Sequence, residues 1–183
     1  MVASIWLQPV GEEREILRDL IARLAAEYGT MPFEPHLTVC TIANPTSDAA
    51  QAAADYIATC RTLPLLVCKT GMLYSPTVPF RAVTIGVENA PDLRAFREML
   101  RELTGANELV EPHISLLYTI DSDQQRTVWS GDEDKLRAIA GECERRLGAS
   151  QFLLNDPILV APDGDWTNIA SWTTLRRFDS LRF

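Results

Sequence analysis

The chain has 183 residues, of which 46% are hydrophobic and 23% charged, a composition typical of globular proteins and not of disordered ones. Its 25 acidic and 17 basic side chains give a formal net charge of −8, which makes it a poor partner for a long nucleic acid. No apolar run approaches the roughly 20 residues that span a bilayer, and the N-terminal segment lacks the basic region of a signal peptide. We therefore expect one domain over residues 1–183, a cytoplasmic monomer without a membrane partner.

The first half of the chain alternates between strand and helix patterns. Residues 4–10 predict an opening strand, and a helix with regularly spaced apolar residues follows and ends at Gly29. β-branched residues predict a strand at 36–42, and an alanine-rich stretch predicts a helix at 48–60. Two further strands are expected near 64–74 and 80–88, separated by a Ser-Pro-Thr-Val-Pro turn.

The second half shows the same alternation. Apolar spacing over 93–103 predicts an amphipathic helix that ends at Gly105. After it we expect a strand at 113–120, a helix at about 132–147, and strands near 151–160 and 169–178. Several connections between strands are too short for parallel crossovers, so the sequence predicts an α+β fold with antiparallel or mixed strands.

Both histidines of the chain lie in the same seven-residue pattern, apolar-Glu-Pro-His-apolar-hydroxyl-apolar. One copy is Phe-Glu-Pro-His-Leu-Thr-Val at 33–39, and the other is Val-Glu-Pro-His-Ile-Ser-Leu at 110–116. The two histidines are 113 − 36 = 77 residues apart. This repeat predicts an internal duplication, in which two similar lobes each contribute one such strand.

The period of a strand places each histidine beside a hydroxyl group. Side chains two residues apart share a face, so His36 lies with Thr38, and His113 lies with Ser115. If a pseudo-twofold axis relates the lobes, one cleft holds both imidazoles and both hydroxyls.

These groups suit the hydrolysis of a cyclic phosphodiester. An imidazole, with an ordinary pKa of about 6.5, can act as base or acid near neutral pH. Hydroxyl groups can donate hydrogen bonds to the charged phosphate oxygens of the transition state. This chemistry requires no metal ion, and no cofactor is predicted.

The two motifs resemble the two-histidine phosphoesterase superfamily, whose hallmark is a pair of His-x-Thr/Ser-x motifs. Within it the chain is most similar to the cyclic phosphodiesterases of the plant and yeast type. The shared features are a Ser-Ile-Trp-Leu strand at 4–7, the motif at 33–39, the Pro-His-Ile-Ser-Leu-Leu-Tyr phrase at 112–118 and a Ser-Trp-Thr-Thr-Leu segment at 171–175. The resemblance implies a bilobal, LigT-like fold, in which two antiparallel sheets related by a pseudo-twofold axis line a central cleft, with the helices outside.

The resemblance also implies an activity and a set of site residues. Such enzymes open ADP-ribose 1″,2″-cyclic phosphate and nucleoside 2′,3′-cyclic phosphates, the latter to the 2′-phosphate. It implies that His36 and His113 are catalytic, with His113 as the base for water and His36 as the acid. It further implies that Thr38, Ser115 and Tyr118 contact the substrate. Strict alternation puts Tyr118 on the face opposite His113, so a twist or bulge must bring it into the cleft.

The glutamates of the two motifs have alternative interpretations. Glu34 and Glu111 either orient the imidazoles or hold a metal ion with them, or they turn away to solvent. We favour solvent because each precedes a proline. Two histidines without a third clustered ligand argue against a zinc site.

Cysteine and tryptophan residues near the motifs also have two interpretations. If side chains alternate strictly along the strand, Cys40 lies on the same face as His36, so we expect it to fill the floor of the cleft. The chain contains no Cys-x-x-Cys pair, so we expect its four cysteines to be free thiols. Trp166 and Trp172 belong either to the core or to a surface that stacks on a nucleotide base, and we favour the core.

Two other functions are compatible with the motifs. The first is the opening of a 2′,3′-cyclic phosphate at an RNA terminus, against which the acidic net charge argues. The second is a nucleotide-binding module without turnover, against which the intact histidines and hydroxyls of both copies argue.

Overall fold

The structure, a computed structural model, describes residues 2–106, 110–119, 132–163 and 171–178. Within these ranges the chain forms seven strands and four α-helices. The strands are β1 (Val2–Pro9), β2 (Leu37–Ala43), β3 (Leu65–Tyr74), β4 (Val83–Val87), β5 (His113–Leu117), β6 (Gln151–Pro162) and β7 (Trp172–Arg177). The helices are α1 (Glu12–Tyr28), α2 (Ser47–Thr59), α3 (Pro91–Thr104) and α4 (Glu133–Arg146).

The order of these elements repeats once along the chain. The series β1-α1-β2-α2-β3 is followed by β4-α3-β5-α4-β6, and β7 comes last. The two repeats exchange their third strands, because β6 pairs with β1 and β3 pairs with β4. One lobe therefore contains β2, β1, β6 and β7, and the other contains β5, β4 and β3.

Two contacts join the lobes into one seven-stranded antiparallel sheet. The first four residues of β6, Gln151 to Leu154, pair with β3. From Leu154 onward β6 pairs with β1, and from Ile158 onward it also pairs with β7. The second contact is a bridge between β2 and β5. The predicted α+β fold with antiparallel strands is confirmed, and the two predicted sheets are the two halves of this continuous sheet.

The helix ends follow the local signals in the sequence. The Thr46 hydroxyl accepts a hydrogen bond from the Ala49 amide at 3.1 Å and so caps the start of α2. Helices α1 and α3 end at Gly29 and Gly105, which have positive φ angles of 65° and 63°. No helix in the described ranges is both long enough and apolar enough to cross a membrane.

Strand ends agree less closely with the sequence patterns. Strand β4 begins at Val83 and not at 80, because Pro79–Arg81 form a 3₁₀ turn that starts at the proline. Strand β5 ends at Leu117, three residues before the predicted end. Residues 169 and 170 of the last predicted strand lie outside the described residues.

The main hydrophobic core lies between the helices and one face of the sheet. Ile5 and Leu7 of β1 point into it, and each is fully buried. Burial of one such side chain contributes roughly 1.5–3 kcal/mol. Because side chains alternate along a strand, Ser4 and Trp6 point to the opposite face, where they line a cavity.

Candidate active site

The two motif strands meet where the lobes join. Strands β2 and β5 are bridged in antiparallel register by Leu37 and Ile114, which are both fully buried in the core. The residues on either side of this bridge therefore lie on the opposite face of the sheet. In this register each histidine is across from the hydroxyl residue of the other motif: His36 is opposite Ser115, and Thr38 is opposite His113.

A cavity of about 340 Å³ opens on that face. It is lined by all five residues that the sequence analysis singled out for catalysis or substrate contact, namely His36, Thr38, His113, Ser115 and Tyr118. The duplication thus brings the two motifs into a single site.

Both imidazoles are held in the same way by the backbone before the proline of their motif. The Nδ1 atom of His36 is 2.7 Å from the carbonyl oxygen of Glu34, and that of His113 is 2.8 Å from the carbonyl oxygen of Glu111. A carbonyl oxygen can only accept, so each Nδ1 carries a proton and donates it. In the neutral ring this leaves Nε2 as the acceptor, which is the form that a general base requires.

This geometry accompanies clear sequence similarity. A sequence model of the family described as "Cyclic phosphodiesterase-like protein" matches residues 1–88. A cyclic phosphodiesterase of Arabidopsis thaliana is 22% identical over 176 residues, which cover 95% of this chain and 92% of the plant protein. These matches make the chain similar to cyclic phosphodiesterases of the two-histidine phosphoesterase superfamily.

Solved structures share the fold of this chain. Escherichia coli LigT complexed with phosphate matches 96% of this chain and 94% of its own with a TM-score of 0.55 and 16% identity. LigT complexed with NADP+ gives a TM-score of 0.59 at 17% identity, over 98% of this chain and 97% of its own. Kluyveromyces marxianus Usb1 gives a TM-score of 0.51 at 15% identity, over 95% of this chain and 97% of its own. At these identities the likeness concerns the fold alone.

His36 is shielded from water. Its residue is 5% exposed, and the indole of Trp6 lies flat against the imidazole, with ring centroids 3.6 Å apart. Burial, and to a smaller extent the charge of His113, lowers the pKa of His36 from its ordinary 6.5 to about 4. The hydrogen bond to the Glu34 carbonyl opposes this shift. The free enzyme therefore holds His36 neutral at pH 7.

His113 is more accessible than His36. Burial also lowers its pKa below the ordinary value, and the positive charges of Arg81 and Arg97 act in the same direction. The carbonyl of Glu111 has the opposite effect. Of the two, His36 has the more deeply buried ring, and that favours His36 as the base and His113 as the acid. This assignment of acid and base is the reverse of the one that the family resemblance implies.

Tyr118 reaches the cavity through an irregularity in the sheet. Thr84 pairs with Ser115 but Val83 pairs with Leu117, so β5 has one residue more than β4 at this point. Such an extra residue reverses the face of the side chains that follow, and it turns Tyr118 towards the side of Ser115. The phenol ring stacks on Phe33, with centroids 3.7 Å apart, and lines the cavity.

A second irregularity removes Cys40 from the cleft. Trp6 pairs with Thr38 but Ile5 pairs with Cys40, so the alternation on β2 changes between these positions. Cys40 consequently points into the core and is 3% exposed, and burial raises the pKa of its thiol to about 11. The expectation that Cys40 fills the cleft floor is wrong, and Thr41 lines the cavity instead.

The glutamates of the motifs orient the imidazoles through their backbone and not through their carboxylates. The Glu34 carboxylate turns outward to Arg18 at 3.0 Å and Arg14 at 3.3 Å. The Glu111 residue is exposed. All four cysteines are free thiols. Within the described ranges, no group of three or more His, Cys, Asp or Glu side chains is placed to hold a metal ion.

Aromatic residues that the sequence analysis did not assign to the site also line it. We expected Trp172 in the core, but it lies outside the main core. Strand β7 is an edge strand whose inner face borders the cavity, and there Trp172 stacks on Trp6. Trp166 lies outside the described residues. The alternation of β1 could have identified Trp6, whereas Phe80 lies in the 3₁₀ turn, which has no periodic pattern.

Proposed function

We propose that this protein is a cyclic phosphodiesterase, which hydrolyses nucleoside 2′,3′-cyclic phosphates and ADP-ribose 1″,2″-cyclic phosphate without a metal ion. The observation that carries the proposal is the pair of imidazoles in one cavity, each with Nδ1 bonded to a carbonyl. The cavity, at about 340 Å³, is of the size that takes a small ligand.

The reaction requires an acid and a base on opposite sides of phosphorus. One neutral histidine takes a proton from water as the new bond from the water oxygen to phosphorus forms. The bond from phosphorus to O3′ breaks, and the other histidine, protonated, donates its proton to O3′. The phosphate stays on O2′, so the product is a nucleoside 2′-phosphate with a free 3′-hydroxyl.

Hydroxyl groups beside the histidines complete the scheme. Thr38 and Ser115 line the cavity and can donate to the non-bridging oxygens of the phosphate. In the free enzyme the Ser115 hydroxyl donates to the carbonyl of Phe80 at 2.9 Å, so it must change its partner when substrate binds. Tyr118 closes one side of the same cavity and contacts the nucleotide in this scheme.

The proposal is tested by turnover of a nucleoside 2′,3′-cyclic phosphate, with the product separated from both phosphate isomers by chromatography. We expect the 2′-phosphate, with undiminished activity in excess chelator. His36→Gln and His113→Gln should each lower turnover roughly 10²–10⁴-fold, the usual contribution of one acid or base. A control, Thr59→Ala on the exposed surface of α2, should leave the rate unchanged.

Three results would contradict the proposal. These are a histidine variant with the wild-type rate, activity that chelator removes and added metal restores, and a predominant 3′-phosphate. An RNA with a 2′,3′-cyclic end serves as the competing substrate, and faster turnover of this RNA would favour the end-processing function.

The two histidine roles are separable with a substrate whose leaving group needs no proton, such as a p-nitrophenyl phosphodiester. Loss of the acid should then matter little, whereas loss of the base should still abolish turnover. From the deeper burial of His36 we expect rescue of His113→Ala and not of His36→Ala. The opposite pattern would restore the assignment implied by the family resemblance.

A further inference from the structure

A second, larger cavity of about 490 Å³ adjoins the first. The two cavities share four lining residues: Trp6, His36, Tyr118 and Trp172. The indoles of Trp6 and Trp172 belong to a small apolar cluster that is separate from the main core and forms part of the wall of both cavities. A ligand bound at the histidines can therefore extend into the second cavity past this wall.

The lining of the second cavity is positively charged in an otherwise acidic chain. It contains the side chains of Arg14, Arg18 and Arg177 and one carboxylate, that of Glu34, which gives 3 − 1 = +2. The whole chain has a formal net charge of −8. A guanidinium group presents paired donors that match a phosphate group, so such a cluster favours a phosphorylated ligand.

Arg14 is incompletely paired. Its contacts to Gln8 and Glu34 are 3.3 Å long and that to Asp156 is 3.5 Å, longer than the roughly 2.7–2.9 Å of a strong charge-assisted hydrogen bond. Its Nε atom is buried and has no hydrogen-bond partner among the described residues. The long contacts of its two terminal nitrogens can therefore be exchanged for contacts with an anion.

Arg177 is turned to this cavity by a third irregularity in the sheet. Thr174 pairs with Val160, but Arg176 and Arg177 pair with Leu159 and Ile158, so β7 contains one extra residue. Without it, the residue two positions after Thr174 would face the cavity, and that residue is Arg176. Arg177 lines the cavity instead and has no ion pair or side-chain hydrogen bond within the described residues. Arg176 donates to Gln51 on another surface, at 3.2 Å.

We propose that this cavity binds a second phosphate group of the substrate. The preferred substrates are then nucleotides that carry a 5′-phosphate or a diphosphate in addition to the cyclic phosphate. This inference rests on the proposed function for the chemistry at the histidines. Among the described residues Arg177 is the donor without a partner and Arg14 is the incompletely paired one. The two tryptophans separate this subsite from the histidine site.

The test compares kcat/KM for adenosine 2′,3′-cyclic phosphate with and without a 5′-diphosphate. We expect the wild type to prefer the diphosphate form, and Arg177→Ala to reduce that preference about 10- to 100-fold, as for the loss of a hydrogen bond between charged groups. Arg177→Lys should retain part of it, because the charge remains but the paired donors are lost. Arg176→Ala, the adjacent residue on the other face of the same strand, should retain all of it.

A binding measurement separates failure of the subsite from failure of the proposed function. ADP, which has no cyclic phosphate, should bind the wild type and the Arg176→Ala variant equally, and Arg177→Ala at least tenfold more weakly. If this holds but neither cyclic nucleotide is hydrolysed, the subsite stands and the proposed function fails. If both substrates are hydrolysed with the same preference in wild type and Arg177→Ala, or if ADP binds both equally, the subsite is refuted.

Discussion

The protonation of His36 is controlled by what surrounds its ring. Trp6 lies parallel to the imidazole within 9°, the edge of Phe33 is near it, and a carbonyl oxygen accepts the Nδ1 proton. The charge of the Glu34 carboxylate, which is paired with Arg14 and Arg18, offsets only a small part of the effect of burial on the pKa of His36. The ring is therefore neutral until an anionic substrate enters and favours its charged form.

The pH dependence of catalysis should reflect both lowered histidine pKa values. The base must be neutral, and His36 is neutral above about pH 4. The acid must be protonated, and His113 is protonated only below its own pKa, which is lower than 6.5. We therefore expect a bell-shaped profile of kcat/KM with its maximum on the acidic side of pH 6.5. The profile of kcat should lie at higher pH, since bound phosphate raises both pKa values.

Steady-state kinetics from pH 4 to 9 measure both profiles, and NMR titration of the two imidazoles in the free enzyme measures their pKa values directly. A maximum of kcat/KM above pH 7 would contradict this account. A His36 resonance that titrates near the ordinary histidine pKa of 6.5 would also contradict it.

The side chains of the site differ in how far a sequence can predict them. His36, Thr38, His113 and Ser115 are two residues apart within each motif, so the period of a strand suffices to group them. The positions of Tyr118, Cys40 and Arg177 depend instead on extra residues in β5, β2 and β7. A residue is extra only relative to the strand with which it pairs, and that partner strand is distant in sequence.

At the scale of elements, helix α3 supports both motif strands through one buried cation. Arg97 is 2% exposed, and its guanidinium donates to the carbonyl of Val39 in β2 and to that of Val110 at the start of the second motif. It connects the two segments that carry His36 and His113. Its positive charge also lowers the pKa of His113.

Replacement of this cation has two expected effects. Arg97→Met should lower the free energy of unfolding by about 1–3 kcal/mol, because two carbonyls lose their donor. It should also raise the pKa of His113, since one of the charges that disfavour the imidazolium is removed. Urea unfolding and NMR titration measure the two effects, with Arg94→Met, exposed on the same helix, as the control. An unchanged pKa of His113 would show that Arg97 has a structural role only.

Most elements could be predicted because their signals are local. The caps at Thr46, Gly29 and Gly105 and the apolar spacing of the helices require no knowledge of the rest of the chain. Strand pairing is not local in this way. The duplication could be predicted from the motifs, but the exchange of β3 and β6 between the repeats follows from packing that no short pattern encodes.

The exchanged strands should make the whole molecule unfold as one unit. Leu154 in β6 is fully buried and pairs with Pro9 of β1 on one side and Leu65 of β3 on the other. Neither lobe can lose β6 without affecting the other. We expect a single calorimetric transition. The Leu154→Ala variant should lower the free energy of unfolding by about 2–5 kcal/mol.

The neighbouring residue provides the control for this prediction. Leu153 is 38% exposed on the same strand, so Leu153→Ala should change the free energy of unfolding by less than about 1 kcal/mol. Two separate transitions, of which Leu154→Ala shifts only one, would show that the lobes unfold independently.

The exchange of strands also has a consequence for synthesis on the ribosome. Strand β1 starts at residue 2 and its partner β6 at residue 151, so 151 − 2 = 149 residues are added between them. At about 5–20 residues per second, this takes about 7 to 30 s. Throughout that time one edge of β1, with its apolar Ile5, Trp6 and Leu7, lacks its native neighbour and is open to other strands. Helix α1 and strand β2, which are made soon after β1, can cover one face and the other edge of β1, so the edge that β6 pairs with stays open until β6 emerges.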